Sequence, residues 1–305
     1  MTDKIFITIP AYEDPFLIRT LDSAISNAKN PEALVFAIAL QYKNTPTPDI
    51  SNYNANYIVY DVDTRPSINL IRKKLLSFYN DEKYFMMIDS HMLFTKHWDE
   101  ILIKDYANLQ QSTHDKVIIS RQMPPLCGKS SRPLSEKTIW KLLDGDTKSV
   151  GYFSSHLVGE MEDAEVSTEF FKTNYSSSHF FFSDARYLKE VGIIDAASIR
   201  SEEQVMSFLA FLNGWDIYGV STINHVGHMD FDYRMALYNN PAPSKRSKFT
   251  FDADSGSMIK ELDKLLFNNT GRFAVKDPQR SPEEFYKEIG LFEAWNKITP
   301  SDIIK

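Results

Sequence analysis

Short apolar runs and helical stripes alternate through the first 120 residues, which predicts a layered α/β chain. Ile5 to Ile9 is a β-rich run ended by Pro10. Asp14 then precedes Pro15, the pattern of an N-cap with proline at the first helical position, and Leu17, Leu21, Ala24 and Ala28 follow on one helical face. Ala33 to Leu40 is continuously apolar, as a strand buried on both sides requires. A strand at Tyr57 to Tyr60 comes next, then a helix opened by Pro66 whose Ile68, Ile71, Leu75 and Phe78 share a face. Tyr84 to Ile88 reads as a strand, Trp98 to Leu109 as a helix and Val117 to Ser120 as a strand. Strands separated by helices imply a mostly parallel sheet flanked by helices on both faces.

From Arg121 to Ser178 the periodicity fades into a stretch containing Pro, Ser and Gly. It returns with a strand at His179 to Ser183, a helix from Glu202 to Asn213 stopped by Gly214, and a strand near Ile217 to Ser221. Asn240 to Phe249 reads as an exposed loop, and two closing helices are expected at Ser257 to Phe267 and Pro282 to Ile289. The second has a capping box, Ser281 at the N-cap and Glu284 three residues on. The expected organisation is a sheet domain over 1–240 and a helical C-terminal extension over 241–305.

Composition narrows the class. The 305 residues are 43% hydrophobic and 25% charged, which is ordinary for a globular chain and excludes a disordered or fibrous one. Lys and Arg total 34 against 41 Asp and Glu, a formal charge of −7 that disfavours a nucleic-acid partner. Cys127 is the only cysteine, which excludes an internal disulfide and fits a reducing cytoplasm. The apolar run Ala33 to Leu40 is far too short to cross a bilayer, so no membrane insertion is expected.

The segment Tyr84 to Phe94 carries the candidate chemistry. Its apolar strand runs into Asp89-Ser90-His91 at the carboxyl end, where open α/β sheets bind ligands. In extended backbone, residues two apart point the same way, so Asp89 and His91 can converge on one divalent ion such as Mn²⁺. The same three residues also fit a polar turn after a strand.

These residues stand in a longer order of elements: Ile7 to Asp14, the helix Leu17 to Ala28 followed by Asn30-Pro31, Ile88 to Met92, Trp98-Asp99, Ser201 to Gln204 and Gly214-Trp215-Asp216. In that order the chain resembles the glycosyltransferases that attach N-acetylglucosamine to polypeptide hydroxyls, including the cytoplasmic hydroxyproline-modifying enzymes. The likeness covers most of residues 5 to 230. It implies a GT-A fold, a UDP-sugar donor, a Mn²⁺ or Mg²⁺ ion on Asp89 and His91, retention of configuration, and a macromolecular acceptor, protein ahead of modified DNA.

By the same resemblance His225, just beyond the late strand, supplies a third metal ligand ahead of His228; capping the strand is the alternative for both. Pro10 and Tyr12 lie in the loop that holds uridine in this fold, where Tyr12 either stacks on the base or packs in the core. Arg72 and Ser90 fall beside the donor. Glu203 and Glu202 lie where acceptor meets sugar, although a capping box of Ser201 and Gln204 also accounts for acidic residues there. Lys245, Arg246 and Lys248 form a basic loop that either closes over the diphosphate or serves solubility. The bulky Ser178 to Phe182 departs from the small residues usual in the family, leaving His179 either facing the sugar or packed. The competing classes are a glycosyltransferase acting on a hydroxymethylated base of viral DNA, a non-catalytic nucleotide-sugar-binding protein, and a metal hydrolase using Asp and His ligands.

Overall fold

Strand β1 (Ile5–Tyr12) puts Ile5, Ile7 and Ile9 on one side of the sheet and Phe6 on the other, and both sides are buried. The computed structural model describes residues 3–43, 46–60, 68–120, 125–127, 136–143, 153, 156–163, 170–195, 202–220, 226–229 and 255–299. Strand β2 (Leu34–Gln41) pairs parallel with β1, and β3 (Ala55–Val59) pairs parallel with β2 as the sheet edge. On the other side of β1 lies β4 (Tyr84–Ile88), again parallel. Helix α1 (Leu17–Asn27) connects β1 to β2 and α2 (Ile68–Leu75) leads into β4. Connectors of this kind run back along the sheet, so α2 starts at the carboxyl ends of the strands.

The sheet then changes direction. Strand β5 (Met92–Phe94) is a short piece outside the main sheet, followed by α3 (Trp98–Ser112) and β6 (Val117–Ser120). Further on come β7 (Pro125–Cys127), a hairpin of β8 (Glu136–Leu142) and β9 (Leu157–Asp163), and β10 (Phe170–Lys172). Strand β11 (Phe180–Asp184) is inserted antiparallel between β4 and β6. The short helix α4 (Arg186–Glu190), helix α5 (Glu202–Leu212), β12 (Asp216–Val220) and β13 (Val226–Met229) follow. Among the described residues the main sheet runs β10-β12-β6-β11-β4-β1-β2-β3, and β5, β13 and β7 form a small second sheet. Two parallel blocks, β3-β2-β1-β4 and β6-β12, are thus joined through antiparallel β11. The strands between 121 and 178 have no counterpart in the sequence reading, because three-residue strands and a lone hairpin leave little periodic signal.

One face of the sheet is covered by α1 and α3, with Leu17, Leu21, Trp98, Leu102 and Leu109 against Ile5, Ile7 and Phe36. The opposite face packs Ile71 and Leu75 of α2, and Met206 and Ala210 of α5, against Phe6, Phe85 and Phe181. Helix α5 is buried nearly all round because Phe208, Phe211 and Leu212 face a third layer. That layer is built from the β8–β9 hairpin and from α6 (Ser255–Asn268), α7 (Pro282–Glu288) and α8 (Phe292–Trp295). The capping box of α7 forms as expected: Ser281 Oγ accepts from the Glu284 N–H at 3.2 Å, and Glu284 accepts from the Ser281 N–H at 2.6 Å. The expected Asn240 to Phe249 loop lies outside the described residues.

Candidate active site

Beyond the carboxyl end of β4 the chain passes through Asp89-Ser90-His91 directly into β5. Helix α1 pins that turn. Thr20 Oγ1 donates to the Ser90 carbonyl at 2.8 Å and accepts from the Met92 N–H at 3.0 Å, while Ser23 Oγ accepts from the Phe94 N–H at 2.9 Å. Strand β13 then pairs antiparallel with β5, setting His228 opposite Met92, and the Met229 N–H donates to the His91 carbonyl at 3.0 Å. This pairing delivers His228 to His91, with ring centroids 4.5 Å apart and planes at 83°.

Asp89, His91 and His228 each offer one ligand atom, and these atoms all lie within 4.8 Å of one another. Nε2 of His91 stands 3.4 Å from Asp89 Oδ2, and Nε2 of His228 stands 3.7 Å from it. One carboxylate oxygen with two imidazole nitrogens suits a divalent ion of intermediate hardness such as Mn²⁺ and leaves positions open for phosphate oxygens. Burial by itself raises the Asp89 carboxyl, but hydrogen bonds from His228 and His91 overcome it and hold Asp89 well below the usual carboxylate value. His225 lies outside the described residues, and the histidine gathered with Asp89 and His91 is His228.

Asp14 departs from its expected place as an N-cap. Helix α1 begins at Leu17 with Phe16 before it, and one Asp14 oxygen does accept from the Phe16 N–H at 2.9 Å. The other oxygen accepts from Ser90 Oγ at 2.8 Å and faces His91 Nδ1 at 2.6 Å. Ser90 therefore spends its hydroxyl on Asp14 and not on open space. Burial lowers the affinity of the His91 imidazole for a proton, yet its bonds to Asp14 and Asp89 prevail and raise it.

A second corner lies behind this one. Arg72, one turn into α2 and 1% exposed, pairs with the Glu202 carboxylate and donates to the Ser178 carbonyl at 2.6 Å. Burial pushes its guanidinium down to about 10, against the attraction of Asp89 and Glu203. Glu203 accepts from Tyr175 Oη and from the Ser178 N–H at 2.9 Å; burial, the larger effect, raises its carboxyl above the usual value. His179 packs 5.2 Å from the His228 ring and meets Ser177 Oγ at 3.0 Å. Burial pushes His179 down to about 4, so it is neutral at pH 7. Gln204 donates to the Leu157 carbonyl at 2.9 Å; Ser201, its expected partner in a capping box, lies outside the described residues.

The profile of the glycosyltransferase (GlcNAc) family matches residues 4–73 and 71–226. The chain belongs to the GlcNAc glycosyltransferase family. No curated protein sequence matches it. Among solved structures, S. aureus TarS 1–349 in complex with UDP-GlcNAc is similar with a TM-score of 0.54 at 12% identity, over 96% of this chain and 72% of that one. GalNAc-T7 with UDP, GalNAc and Mn²⁺ is similar with a TM-score of 0.53 at 12% identity, over 74% of this chain and 44% of that one. Both are likenesses of fold, and the fold is the GT-A type.

Several residues that carry the glycosyltransferase resemblance have structural work in this fold. Trp98 is buried and donates from Nε1 to the Ala24 carbonyl at 2.9 Å, and Asp99 accepts from the Lys29 and Asn30 N–H groups at 2.6 and 2.9 Å. The pair fastens α3 to the end of α1. In Gly214-Trp215-Asp216 the glycine has φ +80° and Trp215 packs on Tyr187. Asp216 accepts from His114 at 2.7 Å and pairs with Lys172 at 3.2 Å and with Arg280. Tyr12, at the end of β1, is 51% exposed and is not a core aromatic; Pro10 is partly buried two residues before it. Lys245, Arg246 and Lys248 lie outside the described residues. Two participants were not read as site residues from the sequence: Asp14, read as a helix cap, and Tyr175, in the stretch without periodicity.

Proposed function

We propose that this glycosyltransferase is metal-dependent and retaining, and that it moves N-acetylglucosamine from its UDP conjugate to a hydroxyl on protein, hydroxyproline being the acceptor the family resemblance suggests. The convergence of Asp89, His91 and His228 at the end of β4 carries this reading. The UDP-GlcNAc held by TarS and the UDP and Mn²⁺ held by GalNAc-T7 support it by analogy of fold. A cytoplasmic setting agrees with the single cysteine. In this reading residues 1–240 form the catalytic domain and 241–305 brace it.

Asp89, His91 and His228 would hold Mn²⁺ or Mg²⁺, which when bound offsets charge developing on the departing diphosphate. Tyr12, the last residue of β1 and not in the loop expected from the sequence, offers an exposed ring for the uracil, with Pro10 two residues before it on the same strand. Arg72 adds a fixed positive charge beside Asp89, and Ser90 keeps the turn rigid through Asp14. Glu203, immobilised by Tyr175 and Ser178, orients the acceptor hydroxyl or steadies positive charge on the sugar ring, while Glu202 holds Arg72 in place.

Thermal unfolding with Mn²⁺ and a panel of nucleotide sugars tests the donor, because a ligand of the native state alone raises its melting temperature. Asp89→Ala is expected to abolish Mn²⁺-dependent UDP binding while the metal-free melting temperature changes little; unchanged binding removes Asp89 from the site. Radiolabelled donor followed by separation of labelled protein from labelled DNA tests the acceptor. Label on DNA overturns the protein reading, and donor cleavage without any acceptor overturns transfer itself.

A further inference from the structure

We propose that Asp14 is a positioning residue for the metal corner: it clamps His91 in the tautomer and orientation that present Nε2 to the ion. The inference rests on the metal reading above and adds a residue that touches neither the ion nor the substrate.

Its basis is what each oxygen of one buried carboxylate does. Oδ1 accepts from the Phe16 N–H at 2.9 Å, which is all that a helix-capping role would use. Oδ2 is left over, and it lies 2.6 Å from His91 Nδ1 and 2.8 Å from Ser90 Oγ. An ionised carboxylate only accepts hydrogen bonds, so Nδ1 must carry its proton toward Asp14. The remaining nitrogen, Nε2, is turned to Asp89, whose Oδ2 is 3.4 Å away, and it presents its lone pair there when an ion takes the place of the shared proton. A ring flip would sacrifice the Asp14 bond and turn a carbon toward Asp89. The His228 ring, edge-on at 4.5 Å, packs against His91 from the metal side.

Asp14 is itself held from several directions. Its carbonyl accepts from Tyr42 Oη at 2.6 Å, and the preceding Glu13 N–H donates to the Gln41 carbonyl at 2.9 Å, tying the β1–α1 turn to the end of β2. Glu13 occupies the left-handed region at φ +47°, which brings the chain round into this turn. The clamp thus derives its rigidity from the sheet. A carboxylate behind a ligating histidine fixes its tautomer and strengthens it as a donor, and loss of such a partner commonly weakens metal binding about 10–100-fold.

Two substitutions separate the roles. Asp14→Ser keeps an oxygen able to accept from the Phe16 N–H but is too short to reach His91. Asp14→Asn keeps the size but replaces one acceptor by an NH₂ group, so it cannot satisfy Phe16 and His91 together. Free Mn²⁺ measured by electron paramagnetic resonance in titrations of the full chain should show both variants binding about 10–100-fold more weakly. Their metal-free melting temperatures should stay within a few degrees of the unaltered protein. Long-range ¹H–¹⁵N spectra of the Mg²⁺-loaded protein should show His91 protonated at Nδ1, and a mixture of tautomers in Asp14→Asn. Unaltered Mn²⁺ affinity in Asp14→Ser overturns the inference and leaves the metal site standing. Failure of both variants to fold also overturns it, since Asp14 would then serve the fold. If the unaltered chain binds no Mn²⁺, the metal reading falls and this inference with it.

Discussion

Arg72 has a fully buried guanidinium whose charge is met by Glu202, the neighbour of the candidate catalytic Glu203. Removing one partner of such a pair strands the other charge away from water, which costs about 3–5 kcal/mol, whereas replacing both by apolar groups is often near neutral. Arg72→Met is therefore expected to lower the free energy of unfolding in urea by that amount. Adding Glu202→Met should restore much of it; a double variant no more stable than the single one would show that the pair is not what Arg72 supplies. Arg72 was legible from the sequence as a charged residue near the site, but its partner was not. An arginine on a helix reads as solvent-facing until the packing of a distant helix shows otherwise.

At the scale of elements, the β8–β9 hairpin buttresses the Glu203 corner. Tyr175, whose hydroxyl donates to Glu203, rests in a T-shaped contact on Trp140 of β8, ring centroids 5.0 Å apart. Gly159 of β9 makes room for the ring, because a Cβ at that position would collide with the Tyr175 side chain. With Trp140 behind it, Tyr175 has nowhere to retreat. Gly159→Ala should cost about 1–3 kcal/mol of stability, in keeping with overpacked sites, and should lower kcat while the KM for donor holds. Thermal unfolding and steady-state kinetics check the two halves; an undisturbed kcat would detach Tyr175 from catalysis. The hairpin left no trace in the periodicity of Arg121 to Ser178, since its register depends on cross-strand pairing and on a third layer contributed by residues some hundred positions later.

Across the whole molecule, Asp216 couples the sheet to the C-terminal helices. It sits on β12, accepts from His114 before β6, and pairs with Lys172 of β10 and with Arg280 just ahead of α7. Burial pushes its carboxyl up, but Arg280, His114 and Lys172 more than offset this, so its pKa is lowered on folding. A carboxyl depressed on folding stabilises above its unfolded value of about 3.9, and that contribution is lost as pH falls through the native value. Asp216→Asn should thus be about 1–2 kcal/mol less stable than the unaltered protein at pH 7. The difference should shrink steadily below about pH 4. Urea unfolding at a series of pH values reads it directly, and a gap that stays constant into acid would mean that the charge is not what matters.

Patterns that repeat within a few residues could be read from the chain alone: the apolar runs of β1, β2, β4 and β6, the stripe of α1, the Ser281 capping box, and Asp89 and His91 two apart at a strand end. In each case the spacing sets which side chains share a face, because backbone geometry has a period of its own. The order of those motifs also carried the family resemblance. What depended on folding was whatever required two distant segments to meet. His228 reaches Asp89 and His91 through the pairing of two strands of three and four residues, and Asp14, read as a helix cap, meets His91 through the closeness of the β1 and β4 ends. Hydrogen bonds and packing across more than seventy residues of intervening chain create those meetings, and local periodicity contains no record of them.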